Sequence, residues 1–332
     1  MAILKGLATG IGSLPHTDAE AALDLIFQCL PEIPFWPQLP KLNSKEGMVN
    51  QFTQNFPESE ESLEIFYEKI INKDLDYFQI SPDYAAGLYA FKKRLEKQPD
   101  LLKRVEFIKC QITGPFTAAA SLKNKDGVAL LHDPIFMQAY IKGLAMKALW
   151  QVNFFKEFSK KIMMFIDEPY LGCFGSAYTP LNREDVVKGL TELTDGIKSD
   201  QVLIGVHCCG NTDWSIFTDT PGIDMINFDA FSFLEKFVLY AANLQSFIKR
   251  GGMICWGIVP TQEFSGRETP EFLLEKLQKG LSALEKKGLG KDLLRERLLI
   301  SPSCGLGTLN TEKAEQIFRL LSKTCAFLQK NL

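Results

Sequence analysis

Short apolar segments alternate with longer amphipathic segments along most of the chain. The apolar segments, rich in β-branched and aromatic residues, predict strands at residues 7–11, near Phe35, and at 105–112, 161–166, 202–207, 224–228, 253–258 and 298–301. The amphipathic segments carry apolar residues every three or four positions and predict helices at 18–30, 134–158, 182–197, 270–286 and 311–328. Several predicted strands are apolar throughout, which is typical of parallel strands buried on both faces.

About eight strand–helix units in a chain of 332 residues predict an α/β protein with the (β/α)₈ (TIM) barrel fold. Residues 43–99 are polar and weakly periodic, and we interpret them as helices inserted into an elaborated second β/α unit. No Pro- or Ser-rich hinge divides the sequence, so we expect residues 1–332 to form a single barrel domain. A doubly wound sheet is the alternative fold, although no glycine-rich nucleotide-binding loop follows a predicted strand.

Composition narrows the class of protein. The net charge of −3 leaves no excess of basic residues for a nucleic-acid surface, so we expect no nucleic-acid partner. An uninterrupted apolar run of about 18 residues is missing, so we expect no membrane span. The opening residues resemble neither a secretion signal nor a transit peptide, and we therefore expect a cytoplasmic protein whose eight cysteines are reduced.

Residues with reactive side chains collect at the ends of the predicted strands. In a barrel of parallel strands, these ends meet at one face, where active sites are found. The residues concerned follow the first, fourth, fifth, sixth and last strands, and they are Ile11-Gly12-Ser13, Asp167-Glu168, His207-Cys208-Cys209, Asp229 and Cys304.

The end of the predicted strand at residues 202–207 carries the pattern of a metal site. Alternate residues of a strand share a face, so His207 and Cys209 point the same way while Cys208 points away. An imidazole, two thiolates and a carboxylate suit tetrahedral Zn²⁺, and Cys304 and Asp229 are the candidates for the remaining two ligands. Asp224 is a poorer choice than Asp229 because it begins its strand. The alternative for any single cysteine is that it packs as a small apolar side chain.

The segments around these residues resemble the catalytic barrel of the cobalamin-independent methionine synthase family, in the superfamily shared with uroporphyrinogen decarboxylase and methylcorrinoid:thiol methyltransferases. IGSLPHT at 11–17 resembles the family's IGSFPQT, GMVNQF at 47–52 its DMVEYF, ITGPFT at 112–117 its LTGPVT, and FIDEP at 165–169 its QIDEPA. The H-x-C of His207 and Cys209, then Asp229, then SCGL at Cys304 follow in the family's order. HCCGNT is closer to the H-x-C-G-N-T of the corrinoid-linked enzymes.

The resemblance implies a zinc-dependent methyltransferase whose acceptor is a small thiol, homocysteine first. It implies that zinc binds at His207, Cys209, Asp229 and Cys304, and that it holds the acceptor sulfur as a thiolate. It also implies that residues 11–13 (Ile11, Gly12 and Ser13) hold the amino-acid carboxylate, and that Asp167, assisted by Glu168, meets the amino group. His16 follows the first of these motifs, and we expect it near the mouth of the site as a source of a proton or hydrogen bond.

Two departures from the family pattern bear on the substrates. Asn50 stands where the family has a glutamate for the amino group, and FTAAASL replaces a tryptophan-bearing stretch after TGP. The chain is also one barrel long, whereas the synthases have a second barrel that helps to bind folate. These departures favour a methylcorrinoid such as methylcobalamin, free or on a partner corrinoid protein, as the methyl donor. Methyltetrahydrofolate is the alternative donor.

Two other functions are compatible with the sequence. One is a thiol- or corrinoid-binding barrel that has lost turnover, which the Asn50 substitution and the short length favour. The other is a metal-independent lyase of the uroporphyrinogen decarboxylase type, since one fold supports many activities. The arginine-rich opening of that family is missing here, because Lys5 is the one basic residue that precedes Ser13.

Overall fold

The computed structural model describes residues 4–57, 59–124, 127–176, 179 and 181–331. The helices in this part of the chain are α1 Ala19–Cys29, α2 Glu60–Ile71, α3 Ala86–Lys97, α4 Pro115–Ser121, α5 Pro134–Phe155, α6 Arg183–Ile197, α7 Ser215–Asp219, α8 Ala230–Phe237, α9 Ala241–Lys249, α10 Pro270–Lys286, α11 Lys291–Glu296 and α12 Thr311–Asn331. None of these helices combines the length and the apolar character that a membrane span requires.

Side chains immediately before the helices fix several of the helix starts. Asp18, Asn182 and Thr269 each accept a hydrogen bond from a backbone N–H in the first turn of the following helix. These contacts satisfy donors that have no partner within the helix, and all three residues are of types that are preferred at helix N-caps. Pro134 and Pro270 occupy first helical positions, where a missing N–H costs nothing.

The strands form one parallel sheet that curls into a half-barrel surrounded by helices. They are β1 Leu7–Ala8, β2 Phe107–Thr113, β3 Lys161–Asp167, β4 Val202–Cys208, β5 Met225–Phe228, β6 Met253–Val259 and β7 Leu298–Pro302. Within the described residues, the order across the sheet is β1-β7-β6-β5-β4-β3-β2, so the first strand pairs with the last. The α/β class with parallel strands is confirmed, whereas the described part of the chain does not form eight regular strands.

The missing strand is the one predicted near Phe35. Residues 34–38 make single parallel bridges rather than a regular ladder, with Phe35 opposite Lys109 on one side and Gln38 opposite Ser13 on the other. The backbone N–H of Gln38 donates to the carbonyl of Gly12 at 3.0 Å. The segment therefore bonds to both outer edges of the sheet, next to β2 and just beyond β1. The prediction of inserted helices in residues 43–99 is confirmed by α2 and α3.

The inner face of the sheet changes character along the strands. A buried apolar cluster that includes Phe107, Met163 and Met225 fills the face near the amino ends. Towards the carboxyl ends of the strands, the same face carries polar residues, and Asp167 pairs with His207 in the register of β3 and β4. Polar side chains therefore lie at the carboxyl ends of the strands, where a barrel places its chemistry.

Candidate metal centre

Three of the four predicted metal ligands come together. One ligand atom from each of His207, Cys209 and Cys304 lies within 4.8 Å of the other two. Zinc bonds of about 2.0–2.3 Å at tetrahedral angles place ligand atoms just under 4 Å apart, so small side-chain shifts suffice to hold an ion. His207 is buried and the two cysteines are half-buried. β4 delivers the first two residues at its carboxyl end, and the loop after β7 delivers the third.

The ring orientation of His207 is set by a neighbouring strand. Its Nδ1 lies 2.5 Å from Oδ1 of Asn227 on β5. The Nδ2 of Asn227 donates to the carbonyl of Cys255 at 2.9 Å and to Oγ of Ser301 at 2.8 Å. Because this asparagine offers an oxygen to the ring, Nδ1 carries the hydrogen and Nε2 is left as the nitrogen for a metal.

The two thiols of the cluster are electrostatically linked. A hydrogen bond from Cys209 and a second contact with His207 hold the pKa of Cys304 well below that of an ordinary thiol, although burial opposes this. The same hydrogen bond, together with burial, raises the pKa of Cys209. Burial disfavours the charged form of His207, but the hydrogen bond and charge of Cys304 outweigh it and raise the pKa of the imidazole. A thiolate is therefore favoured at Cys304, which is the form that binds metals.

Asp167 brings a carboxylate to the same place. Its side chain is buried, and its Oδ1 has no hydrogen-bond partner among the described residues. Burial raises the pKa of Asp167 to about 6, against the opposing influence of His207 and Lys109. A buried carboxylate oxygen without a partner is costly, so it marks a position for a donor that a ligand supplies.

These groups line the floor of a cavity of about 630 Å³. Its walls come from the loops that follow the strands and from the segment after residue 38. The lining residues are Ile11, Ser13, Gln38, Pro40, Lys41, Glu46, Met48, Asp167, Pro169, His207, Cys209, Gln262, Cys304, Gly305, Gly307 and Thr308. The volume is typical of a small-molecule site.

The segment after β1 forms one wall of this cavity. Oγ of Ser13 accepts a hydrogen bond from the backbone N–H of Gly307 at 3.2 Å, and the carbonyl of Ser13 accepts one from Leu306 at 3.0 Å. A Cβ on Gly305 would stand only 2.4 Å from Oγ of Ser13, so glycine is required for this contact. Among the described residues, none accepts a hydrogen bond from the backbone N–H groups of residues 11–13.

Two predicted site residues serve as helix caps instead of lining the cavity. Asp229 accepts a hydrogen bond from the backbone N–H of Ser232 at 2.9 Å at the start of α8, and it is not part of the three-residue group. Glu168 accepts hydrogen bonds from the backbone N–H groups of Phe116 and Thr117 at 3.0 and 2.9 Å at the start of α4. Both carboxylates thus satisfy backbone donors that a helix leaves unpaired.

His16 and Asn50 also lie apart from the cavity lining. His16 is buried with no partner for its Nδ1 among the described residues, and burial lowers its pKa. Asn50 is exposed and lines a separate cavity with residues such as Tyr84 and Tyr140. The site therefore unites Ile11, Ser13 and Asp167 with the three metal candidates, and leaves these two residues outside.

The structure adds residues that the sequence pattern did not single out. Glu46 lines the cavity, is buried, and accepts hydrogen bonds from the backbone N–H groups of Leu39 and Ala86, both at 2.9 Å. Burial raises the pKa of Glu46 to about 7. The ammonium of Lys109, buried on the inner face of β2, donates to the carbonyl of Ile11 at 2.5 Å. Strand alternation indicates the inward direction of Lys109, but no pattern marks Glu46, which lies in a single 3₁₀ turn, Ser44–Glu46.

Comparisons with known proteins add little to this geometry. The sequence matches no protein-family model and no curated protein. Among solved structures, a GH138 enzyme that targets pectin rhamnogalacturonan II is similar, with a TM-score of 0.30 and 14% identity. The match covers 76% of this chain and 36% of that chain, so the chain spans little more than a third of that enzyme. A TM-score this low carries no inference about fold or activity.

Proposed function

We propose that the protein is a zinc-dependent methyltransferase that acts on a small thiol, homocysteine first. The observation that carries the proposal is the convergence of His207, Cys209 and Cys304 at the floor of a cavity. Cys304 lies 95 residues after Cys209 in the sequence, and the cavity lies at the carboxyl ends of parallel strands. The resemblance to the cobalamin-independent methionine synthase family supports the same interpretation.

The donor set fits a catalytic rather than a structural zinc ion. Structural sites use four protein ligands, whereas catalytic sites use three and leave one position for a substrate. Nε2 of His207 and the sulfurs of Cys209 and Cys304 would hold the ion, and Asp229 is not needed. Zinc bound here would keep the acceptor sulfur ionised at neutral pH, as coordination does for thiols in general.

The remaining cavity residues would orient the acceptor. The unpartnered oxygen of Asp167 is available to an ammonium group, and the buried carboxylate favours a cation over a neutral donor. The backbone N–H groups of residues 11–13, which have no described partner, are available to a carboxylate. A thiol that carries an amino group and a carboxylate, such as homocysteine, satisfies both.

The methyl donor in this proposal is a methylcorrinoid or methyltetrahydrofolate. A cavity of about 630 Å³ is much larger than an amino-acid thiol and leaves room for the methyl-bearing part of a donor. A corrinoid would reach the cavity either free or on a partner protein.

We also infer that the half-barrel closes as an eight-unit barrel. Residues 34–38 bond to both edges of the sheet, which is the place of a second strand in a (β/α)₈ barrel. Their bridges are isolated because the segment is short and turns away into the inserted unit.

Metal content and methyl transfer test the function together. We expect the purified protein to bind one zinc ion and to form methionine from homocysteine with methylcobalamin or methyltetrahydrofolate. Cys209→Ser and Cys304→Ser should each weaken zinc binding by at least about 100-fold and abolish turnover, because each removes one of three ligands. Cys173→Ser is the matched control, because Cys173 is exposed and lies outside the group.

Two results would overturn the proposal. Full methyl transfer by protein freed of metal would remove the role of zinc. Zinc and thiol binding without turnover for any of the named donors would favour a binding protein over an enzyme.

A further inference from the structure

Asn227 stands at the centre of a buried hydrogen-bond chain that ends on His207. The asparagine is fully buried on β5, between β4 and β6. Its amide contacts three groups from three different strands, namely Nδ1 of His207 at 2.5 Å, the carbonyl of Cys255 at 2.9 Å and Oγ of Ser301 at 2.8 Å. Each polar atom of this side chain therefore has a partner.

Two backbone carbonyls, those of Pro302 and Cys255, fix the direction of every hydrogen bond that Asn227 makes. The hydroxyl of Ser301 donates to the carbonyl of Pro302 at 2.9 Å, so its oxygen must accept from Asn227. The carbonyl of Cys255 can only accept as well. The NH₂ group of Asn227 therefore faces Cys255 and Ser301, and its oxygen must face His207.

This orientation decides which nitrogen of His207 bears the hydrogen. An amide oxygen cannot donate, so Nδ1 of the imidazole has to be the donor. Nε2 is then the ring nitrogen on the side of Cys209 and Cys304, and it is the one on which a metal can replace a proton. Without such a partner both tautomers of a histidine are available, and only one of them places a lone pair at the metal position.

We propose that Asn227 is a positioning residue, held in orientation by Ser301, that fixes the metal-binding tautomer of His207. The inference rests on the proposed function only in naming the metal, because the hydrogen-bond chain is present without it. Asn227 does not itself contact the metal position. It holds the His207 ring in the metal-binding orientation and tautomer before an ion binds, so ordering the ring takes no free energy from metal binding.

Zinc affinity measured by competition with a chromophoric chelator tests the role. Asn227→Ala should weaken zinc binding about 10- to 100-fold, the usual effect of losing a partner of a ligating histidine. Asn227→Asp keeps an acceptor at the same place and should recover most of the affinity. Ser301→Ala removes one of the two acceptors that orient the amide and leaves the carbonyl of Cys255, so it should give a smaller loss than Asn227→Ala.

A buried hydrogen bond remote from His207 provides the matched control. Thr9→Val removes the hydrogen bond from the Thr9 hydroxyl to the carbonyl of Ile33, also inside the sheet. We expect this variant to bind zinc like the wild type, even if it is less stable. An equal loss of affinity in Thr9→Val and Asn227→Ala would reduce Asn227 to a packing role and overturn the proposal.

A second measurement separates this inference from the proposed function. In metal-free, ¹⁵N-labelled protein, the Nδ1 proton of His207 should give a slowly exchanging signal that disappears in Asn227→Ala. A wild-type protein with this signal but no zinc affinity would reject the metal and keep the positioning role. If Asn227→Ala does not fold, Asn227→Leu, which keeps a similar side-chain volume without an acceptor, decides by both measurements, and wild-type values in that variant would overturn the proposal.

Discussion

In the proposed function, Asp167 is the residue through which the cavity distinguishes between thiols. It lies beside the metal candidates with an oxygen that has no hydrogen-bond partner among the described residues. Such a group contributes to specificity mainly by disfavouring the wrong ligands, because a ligand without a matching donor leaves the carboxylate buried and unpaired. Selection at this position is therefore selection for an amino group.

The variant Asp167→Asn should lose this selectivity. We expect its KM for homocysteine to rise about 10- to 100-fold, which corresponds to about 1.4–2.7 kcal/mol for a lost charged hydrogen bond. The KM for 4-mercaptobutyrate, which has no amino group, should change little. Methyl-transfer kinetics with both thiols measure the effect. Equal losses with the two thiols would show that Asp167 does not meet the amino group.

Among the individual residues, the sequence predicts the three metal candidates for a clear physical reason. His207 and Cys209 alternate along one strand and Cys304 follows another, so the parallel sheet must bring them to one face. Asp229 and Glu168 satisfy the same rule, yet both are helix caps. Strand position fixes where a side chain starts but not which neighbour it prefers, and a nearby helix start competes for a carboxylate.

At the scale of elements, the loop after β3 depends on a glycine in a different loop. Glu168 packs against Gly114, the residue that precedes α4, and receives hydrogen bonds from the first turn of that helix. A Cβ on Gly114 would lie 2.2 Å from the carboxyl carbon of Glu168. The loop that follows Asp167 is therefore held against α4 by a contact that no larger side chain permits.

Gly114→Ala should destabilise the protein by about 3 kcal/mol, because a buried and hydrogen-bonded carboxylate has to move. Gly290→Ala is the matched control, since Gly290 also precedes a helix in extended backbone and a Cβ there would lie 3.8 Å from its nearest neighbour. This control should lose less than about 1 kcal/mol. Urea unfolding measures both, and similar losses would contradict the packing argument.

A local pattern predicts most strands and helices α1, α5, α6, α10 and α12, but not the short helices α4, α7, α8, α9 and α11. Amphipathic spacing and capping residues lie within a few positions of each helix, and buried strands are apolar runs. Residues 34–38 are an exception, because the local pattern places a strand only approximately, near Phe35. Their strand character comes from partners around residues 12–14 and 109, which no local window contains.

For the molecule as a whole, buried carboxyl groups link stability to pH. Burial raises the pKa of Glu46 to about 7, from an ordinary value of 4.5. At Glu46 the folded protein therefore binds more protons than the unfolded chain between these values, so the contribution of this group to the free energy of unfolding falls as the pH rises from 4.5 to 7. Above this range both states are ionised and the contribution stays constant.

Glu46→Gln should flatten this pH dependence, because the replacement does not titrate. Urea unfolding at about pH 4.5 and about pH 7.5 gives the difference for the wild type and the variant. Glu64→Gln, at an exposed position on α2, is the control and should keep the wild-type difference. A variant with an unchanged difference would show that Glu46 is ionised in the folded protein throughout this range.

The positions of the three metal candidates along the chain have a consequence for biosynthesis. His207 and Cys209 leave the ribosome together, but Cys304 follows only after three further strands, β5 to β7, have been made. Until β7 docks beside β1, a nascent chain offers an ion two ligands at most. In the proposed function, metal loading is therefore a step that comes after translation of the sheet, and these thiols have to stay reduced until then.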